Sequence, residues 1–143
     1  MSGEVILGFD GSEGARHAVG EAVALARAFD SPLVLAFGYE PPATGGEVAD
    51  LRKAVEAHGQ EVLRAGARLA AEADASVPVE AILVDQRPAE SLVDLAAERG
   101  ARAIVVGLRG MGPIKGAILG SVTYRVLHSA PCPVLVVQAP EAS

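Results

Sequence analysis

Short runs that are apolar at every position alternate along this chain with longer stretches that are apolar on only one helical face. Residues 4–9 (EVILGF), 33–37 (LVLAF), 103–106 (AIVV) and 133–137 (PVLVV) are the clearest continuous runs. A strand points successive side chains to opposite faces, so a run without alternation needs apolar cover on both sides. A fifth run within residues 77–84 is less continuous, because Glu80 interrupts it. Between the runs, Val19, Ala22, Val23, Ala26 and Phe29 share one helical face, as do Val48, Leu51, Val55, Val62 and Leu69. Leu92, Val93, Leu95 and Ala96 mark a third helix, and residues 122–127 a fourth. Covered strands alternating with helices require a mostly parallel sheet joined by right-handed crossovers. The predicted fold is a three-layer, doubly wound α/β domain that spans residues 1–143.

Local signals agree with these elements. Ser12 is placed to cap the first helix, with Glu13 in its positive first turn, and Asp30-Ser31-Pro32 stops it. Residues 40–46 hold two prolines and two glycines and read as a loop. Gly59 and Gly66 are expected to weaken the second helix by about 1 kcal/mol each relative to Ala. Pro88 opens the third helix, and Arg99-Gly100 closes it.

Composition narrows the class. Half of the 143 residues are hydrophobic and only 3% are aromatic, so the core is built from Val, Leu, Ile and Ala. A formal charge of −6 argues against nonspecific binding to nucleic acid or to an anionic membrane surface. Cys132 is the single cysteine, which fits a reducing, cytoplasmic setting and reads as a small buried residue at the start of a strand. No apolar run approaches the roughly 18 residues of a membrane span. No basic region precedes the first strand, as a secretory signal would require.

The chemistry is expected in the loop that follows the fourth strand. Gly107-Leu108-Arg109-Gly110 is followed nine residues later by Gly120-Ser121 and then by the fourth helix. Glycines let a backbone approach an anion, and the first N–H groups of a helix are unpaired donors. The first strand ends in Asp10-Gly11-Ser12. Ligands of open α/β sheets bind beyond the carboxyl ends of the strands, where strand order reverses. If strands one and four adjoin there, both loops face one crevice.

With this loop, the chain resembles the ATP-binding branch of the universal stress proteins. That branch carries Gly, two residues, Gly, nine residues, Gly, then Ser or Thr, which here is Gly107, Gly110, Gly120 and Ser121. The likeness extends over nearly the whole chain. It includes Asp10 with Ser12-Glu13, the helix start at Pro88-Ala89-Glu90, and the closing segment Pro131-Cys132-Pro133-Val134-Leu135-Val136-Val137. The resemblance implies a Rossmann-like, adenine nucleotide alpha hydrolase-like sheet of five parallel strands in the order 3-2-1-4-5, with bound ATP and a homodimer. It implies that Gly8, Phe9 and Asp10 line the site, Asp10 meeting the ribose or a nucleotide-bound Mg²⁺. The backbone at Phe37 would contact adenine. Gly107, Arg109 and Gly110 would line ribose and phosphates, and Gly120, Ser121, Val122 and Thr123 would donate to the phosphate chain.

Two departures stand out: Leu108 replaces a frequent Ser, and Asp85-Gln86-Arg87 replaces a glycine frequent before the Pro88 helix. The second is expected to alter the rim of the pocket more than its phosphate grip. Each residue also has a plainer reading. Asp10 suits a turn, Arg109 a solvated surface, and Ser121 a helix cap. His17, His58 and His128 have no metal-like spacing and read as structural or surface residues. Lys115 precedes Gly116 and is not a P-loop lysine, though it is close enough in sequence to approach a triphosphate. Apart from Asp10, the loops after strands one and four carry no acid to serve as a base, so slow ATP hydrolysis is the most that is expected. The expected role is a nucleotide-dependent switch, with ATP ordering residues 108–119. The apolar strand Val134–Val137 is the expected dimer edge.

Overall fold

Val5, Ile6 and Leu7 are fully buried and form the centre of a five-stranded parallel sheet. The computed structural model describes residues 3–40, 48–109 and 119–140. Along these residues run β1 (Val5–Gly8), α1 (Glu13–Ala28), β2 (Leu33–Gly38), α2 (Val48–Ala73), β3 (Val79–Val84), α3 (Pro88–Arg99), β4 (Ala103–Gly107), α4 (Ser121–Ser129) and β5 (Val134–Val137). Strand order is 3-2-1-4-5, with β1 paired to both β2 and β4.

The pleat divides the core into two layers. Val5, Leu7, Phe9, Leu33, Leu35 and Val105 pack under α1 and α2. Ile6, Val34, Ala36, Ile104 and Val106 pack against α3 and α4. Both faces are therefore covered, as the continuous apolar runs require. The less apolar run is β3, an edge strand, whose Glu80 is reached by the Arg99 guanidinium at 2.9 Å. That hydrogen bond holds the Glu80 carboxyl below its usual range. Arg99 also reaches Glu4 at 3.0 Å, tying the start of the chain to the end of α3.

The predicted caps are present. Ser12 Oγ accepts the Ala15 N–H at 3.2 Å, Pro88 opens α3, and Gly100 closes it in the left-handed conformation at φ 59°. Cys132 is half-buried, and burial pushes its thiol up from the ordinary range.

The glycines of α2 have a different meaning from the one their helix propensity suggests. A Cβ on Gly66 would stand 2.9 Å from the Phe9 ring and 3.1 Å from Leu35. One on Gly59 would stand 2.6 Å from Leu83 and 3.4 Å from Phe37. The missing side chains let α2 lie directly on the sheet, and tight packing there outweighs the propensity cost.

This reading predicts opposite signs for two Gly→Ala substitutions inside helices. Gly20, in α1, has nothing within 4 Å of a built Cβ. Gly20→Ala is expected to stabilise by about 1 kcal/mol, whereas Gly66→Ala is expected to destabilise by about 1–3 kcal/mol through overpacking. Urea unfolding of the two variants checks both signs. Stabilisation by Gly66→Ala contradicts the packing account.

Candidate functional site

At the carboxyl end of the sheet, β1 leads to α1 on one face and β4 leads towards α4 on the other. The two loops press against each other. A Cβ on Gly14 would lie 2.6 Å from the Arg109 carbonyl oxygen, and one on Gly107 would lie 3.0 Å from the Gly14 carbonyl carbon. Only glycine at position 14 allows this contact. The sequence reading missed it, because a lone glycine in a first helical turn carries no pattern of its own.

Asp10 takes the turn role and still faces the crevice. Its Oδ1 accepts the Ser12 N–H at 2.9 Å, across Gly11 at φ 81°. Oδ2 is the oxygen left to meet a ligand. On the other side, the cap of α4 is Gly120 rather than Ser121, which is the first helical residue. The first helical bond is Tyr124 N–H to Gly120 O at 3.0 Å. The N–H groups of Ser121, Val122 and Thr123 precede it and have no acceptor within the helix. The Thr123 hydroxyl donates to the Gly107 carbonyl at 2.8 Å. It fastens α4 to the end of β4, so the donor this residue has left is its backbone N–H.

These groups surround a cavity of about 380 Å³, within the roughly 300–1,000 Å³ of small-molecule sites. Gly8, Phe9, Asp10, Phe37, Gly107, Arg109, Gly120, Ser121, Val122 and Thr123 all line it. Gly110 and Lys115 lie outside the described residues. Ala36, Pro88, Leu92 and Val106 add an apolar wall, and His58 adds an imidazole from α2. Of these, Leu92 and Val106 were legible only as core positions.

The ladder changes which backbone of β2 meets the crevice. Leu33 and Tyr39 donate their N–H groups to β3, at Pro78 and Val84, so Phe37, of the same parity, also faces β3. Ala36 accepts from Phe9 N–H at 2.9 Å. Gly38 therefore turns its N–H and carbonyl to the same side, just beyond the end of β1. Phe37 and Gly38 both line the cavity, and the backbone edge that faces it beyond β1 is that of Gly38. A Cβ on Gly38 would stand 2.4 Å from Ser91 Oγ and 2.9 Å from Pro88 Cα, so glycine also brings the start of α3 to this wall.

The triplet 85–87, expected to alter the rim, is not among the residues that line the cavity, and each of its members is held by a different group. Asp85 pairs with Arg52 at 2.6 Å, Gln86 donates to Asp94 at 2.5 Å, and Arg87 reaches Glu40 at 3.1 Å. Nearby, burial, then the Asp85 and Glu56 carboxylates, push the Tyr39 hydroxyl above its ordinary pKa. Among the described residues no group of three His, Cys, Asp or Glu side chains can hold a metal ion. A metal at this site would need oxygens from the ligand as well as Asp10. No helix among these residues is long and apolar enough to cross a membrane.

The comparisons with known proteins agree with this architecture. The universal stress protein family model matches residues 1–138. A universal stress protein of Thermus aquaticus is 37% identical over 138 residues, covering 94% of this chain and 97% of its own. A universal stress protein solved in complex with cAMP superposes with a TM-score of 0.76 at 31% identity, covering 97% of this chain and 98% of its own. The universal stress protein UspA of Lactobacillus plantarum superposes with a TM-score of 0.81 at 25% identity, covering 94% and 97% of the two chains.

The Thr123 bond gives a test of how the site is held. Thr123→Val keeps the shape and leaves the Gly107 carbonyl without its donor, so a loss of about 1–3 kcal/mol is expected in urea unfolding. Thr123→Ser restores the hydroxyl and is expected to recover most of it. Equal stability of all three proteins would show that the bond contributes nothing.

Proposed function

The chain belongs to the universal stress protein family, and from that premise we propose that its crevice holds an adenine nucleotide, ATP foremost, making the protein a nucleotide-dependent regulatory switch of the cytoplasmic stress response. The observation that carries the reading is the pairing of an apolar cavity with the free N–H groups of α4 at one end. A base fits against Ala36, Leu92 and the Gly38 backbone, while phosphates meet Ser121, Val122, Thr123 and Arg109. The relative solved with cAMP is an adenine-nucleotide complex and supports that class of ligand. Mg²⁺ would arrive on the phosphates, with Asp10 Oδ2 as its protein partner.

The same geometry favours holding the nucleotide over cleaving it. Hydrolysis needs a water positioned against a base. Asp10 is the carboxylate lining the cavity among the described residues, and one of its oxygens is already taken by the Ser12 turn. Switching is then the consequence of occupancy; residues 110–118, most of the loop expected to respond to ATP, lie outside the described residues.

Isothermal titration with ATP, with and without Mg²⁺, and with AMP and cAMP in parallel, tests the reading. Saturable binding is expected for at least ATP. Gly120→Asp puts a carboxylate where phosphate is to sit and is expected to weaken ATP by at least about tenfold, as one charge-assisted contact is replaced by repulsion. Absence of heat and of competition at millimolar ATP would sink the proposal.

A specific observation also favours a homodimer. β5 is an edge strand with Leu135 38% exposed, and an unpaired apolar edge invites pairing with its copy. Ile104 N–H donates to Pro133 and Leu108 N–H to Val137, so Val136, of the other parity, points its N–H outward. Val136→Pro removes that outward donor and leaves the ladder to β4 intact. Light scattering is expected to give a dimer for the unmodified protein and a monomer for the variant. A monomeric unmodified protein would refute the dimer.

A further inference from the structure

The base end of the crevice has two faces. Gly8 pairs with Ala36, and the register of β1 with β2 goes no further, so the edge of Gly38 looks into open cavity. Strand N–H and carbonyl groups point along the sheet, and hydrogen bonds to a carbonyl lie near the plane of its peptide. A ring bonded to the Gly38 edge therefore lies roughly coplanar with the sheet. Its two flat faces turn to the two helix layers.

One face is covered by α3. A Cβ on Gly8 would stand 2.8 Å from Leu92 Cδ1 and one on Gly38 would stand 2.9 Å from Pro88 Cα, and both Leu92 and Pro88 line the cavity. The other face belongs to α2. Gly59 brings that helix onto Leu83, 2.6 Å from a built Cβ, and onto Phe37, at 3.4 Å. These two residues pair with each other near the carboxyl ends of β3 and β2. The residue before Gly59 is His58, which is exposed and lines the cavity. The packing of α2 thus holds His58 level with Gly38, the residue after Phe37. The N-terminus of α4 follows β4, on the opposite side of β1 from β2. His58 therefore stands at the base end, away from the phosphate donors.

We propose that the His58 ring stacks on the second face of the bound base, completing a slot whose other wall is Pro88 and Leu92. The proposal rests on the nucleotide reading above and makes His58 a specificity-determining contact for a purine. Stacking rewards the overlap of flat rings, and a fused purine offers more of it than a single pyrimidine ring. His58 also lines the groove between α1 and α2, so it stands where crevice and groove open into each other. Without this ring, one face of the base meets apolar side chains and the other meets water.

The chain contains no tryptophan, so His58→Trp places a single reporter in the slot. Its emission is expected to be quenched on saturation with ATP and to be unmoved by tripolyphosphate, which has no base. His17→Trp, at an exposed position of α1 that lines neither crevice nor groove, is expected to keep its emission throughout. In titration calorimetry, His58→Ala is expected to weaken ATP by about fivefold or more, the lower end of base–aromatic stacking, and His58→Phe to recover most of that loss. CTP, with less ring to stack, is expected to lose less, so the preference for ATP over CTP narrows. A side chain that served only the packing of α2 would not move that ratio. Unchanged ATP affinity in His58→Ala, a loss that His58→Phe does not recover, or an equal loss for CTP overturns this inference and leaves the nucleotide reading intact. No binding of ATP by the unmodified protein overturns both.

Discussion

The contact of Gly14 with Gly107 and the Arg109 carbonyl is the constraint on which the rest of the site depends. β1 and β4 are neighbours in the sheet, but their helices leave on opposite faces. A crevice therefore opens between the two loops, and how close they come sets its width. A single methyl group at position 14 would collide with Arg109 O at 2.6 Å. With glycine there, Asp10, Arg109 and the first turn of α4 line one cavity. The same economy of side chains recurs at Gly8 against Leu92 and at Gly38 against the start of α3. The cavity is what remains between backbones that have been allowed to approach.

The electrostatics of the crevice differ from those of the chain as a whole. The net charge of −6 governs long-range encounter and argues against polyanionic partners. Inside the crevice the field comes from fixed dipoles. The N-termini of α1, α3 and α4 all lie at the carboxyl end of a parallel sheet, with Ser12, Pro88 and Ser121 on the cavity wall. Each contributes about half a positive charge over its first turn. These partial charges need no lysine, and the glycine loop has no Gly-Lys-Ser/Thr of a P-loop.

Much of this was readable from the residues, for reasons that can be named. Continuous apolar runs report strands buried on both faces, and β1, β2 and β4 are such runs. Glu80 interrupts β3, which proves to be an edge, but β5, the other edge, is an uninterrupted apolar run, so continuity alone did not separate edge from centre. Strand order came from family resemblance, since periodicity carries no information about which strands adjoin. The motif positions on either side of the crevice were legible because glycine and acidic residues at strand ends are unusual in a core. Three things were not. Gly59 and Gly66 looked like weaknesses of a helix, since their value lies in partners distant in sequence. The cap of α4 shifted by one residue to Gly120, a boundary that depends on backbone angles. The parity that turns Phe37 to β3 and Gly38 to the crevice exists only once the ladder is known.

One consequence links the cavity to the outer edge of the sheet. Leu108 donates its N–H to Val137 O at 2.8 Å and accepts the Gly120 N–H on its own carbonyl at 3.0 Å. The end of β5 and the cap of α4 thus hang from the two sides of one peptide-length segment. Thr123 adds a third tie, to Gly107, the residue before Leu108. Gly120, the cap that precedes the free N–H groups of Ser121 and Val122, is bonded to the residue that holds β5 in register. Buried hydrogen-bonded backbone is costly to break, so these ties hold the cap of α4 and the end of β5 in one arrangement. The hydrogen bonds Leu108 makes here are those of its backbone. The position that looked like a departure in the site is the joint between the site and the edge.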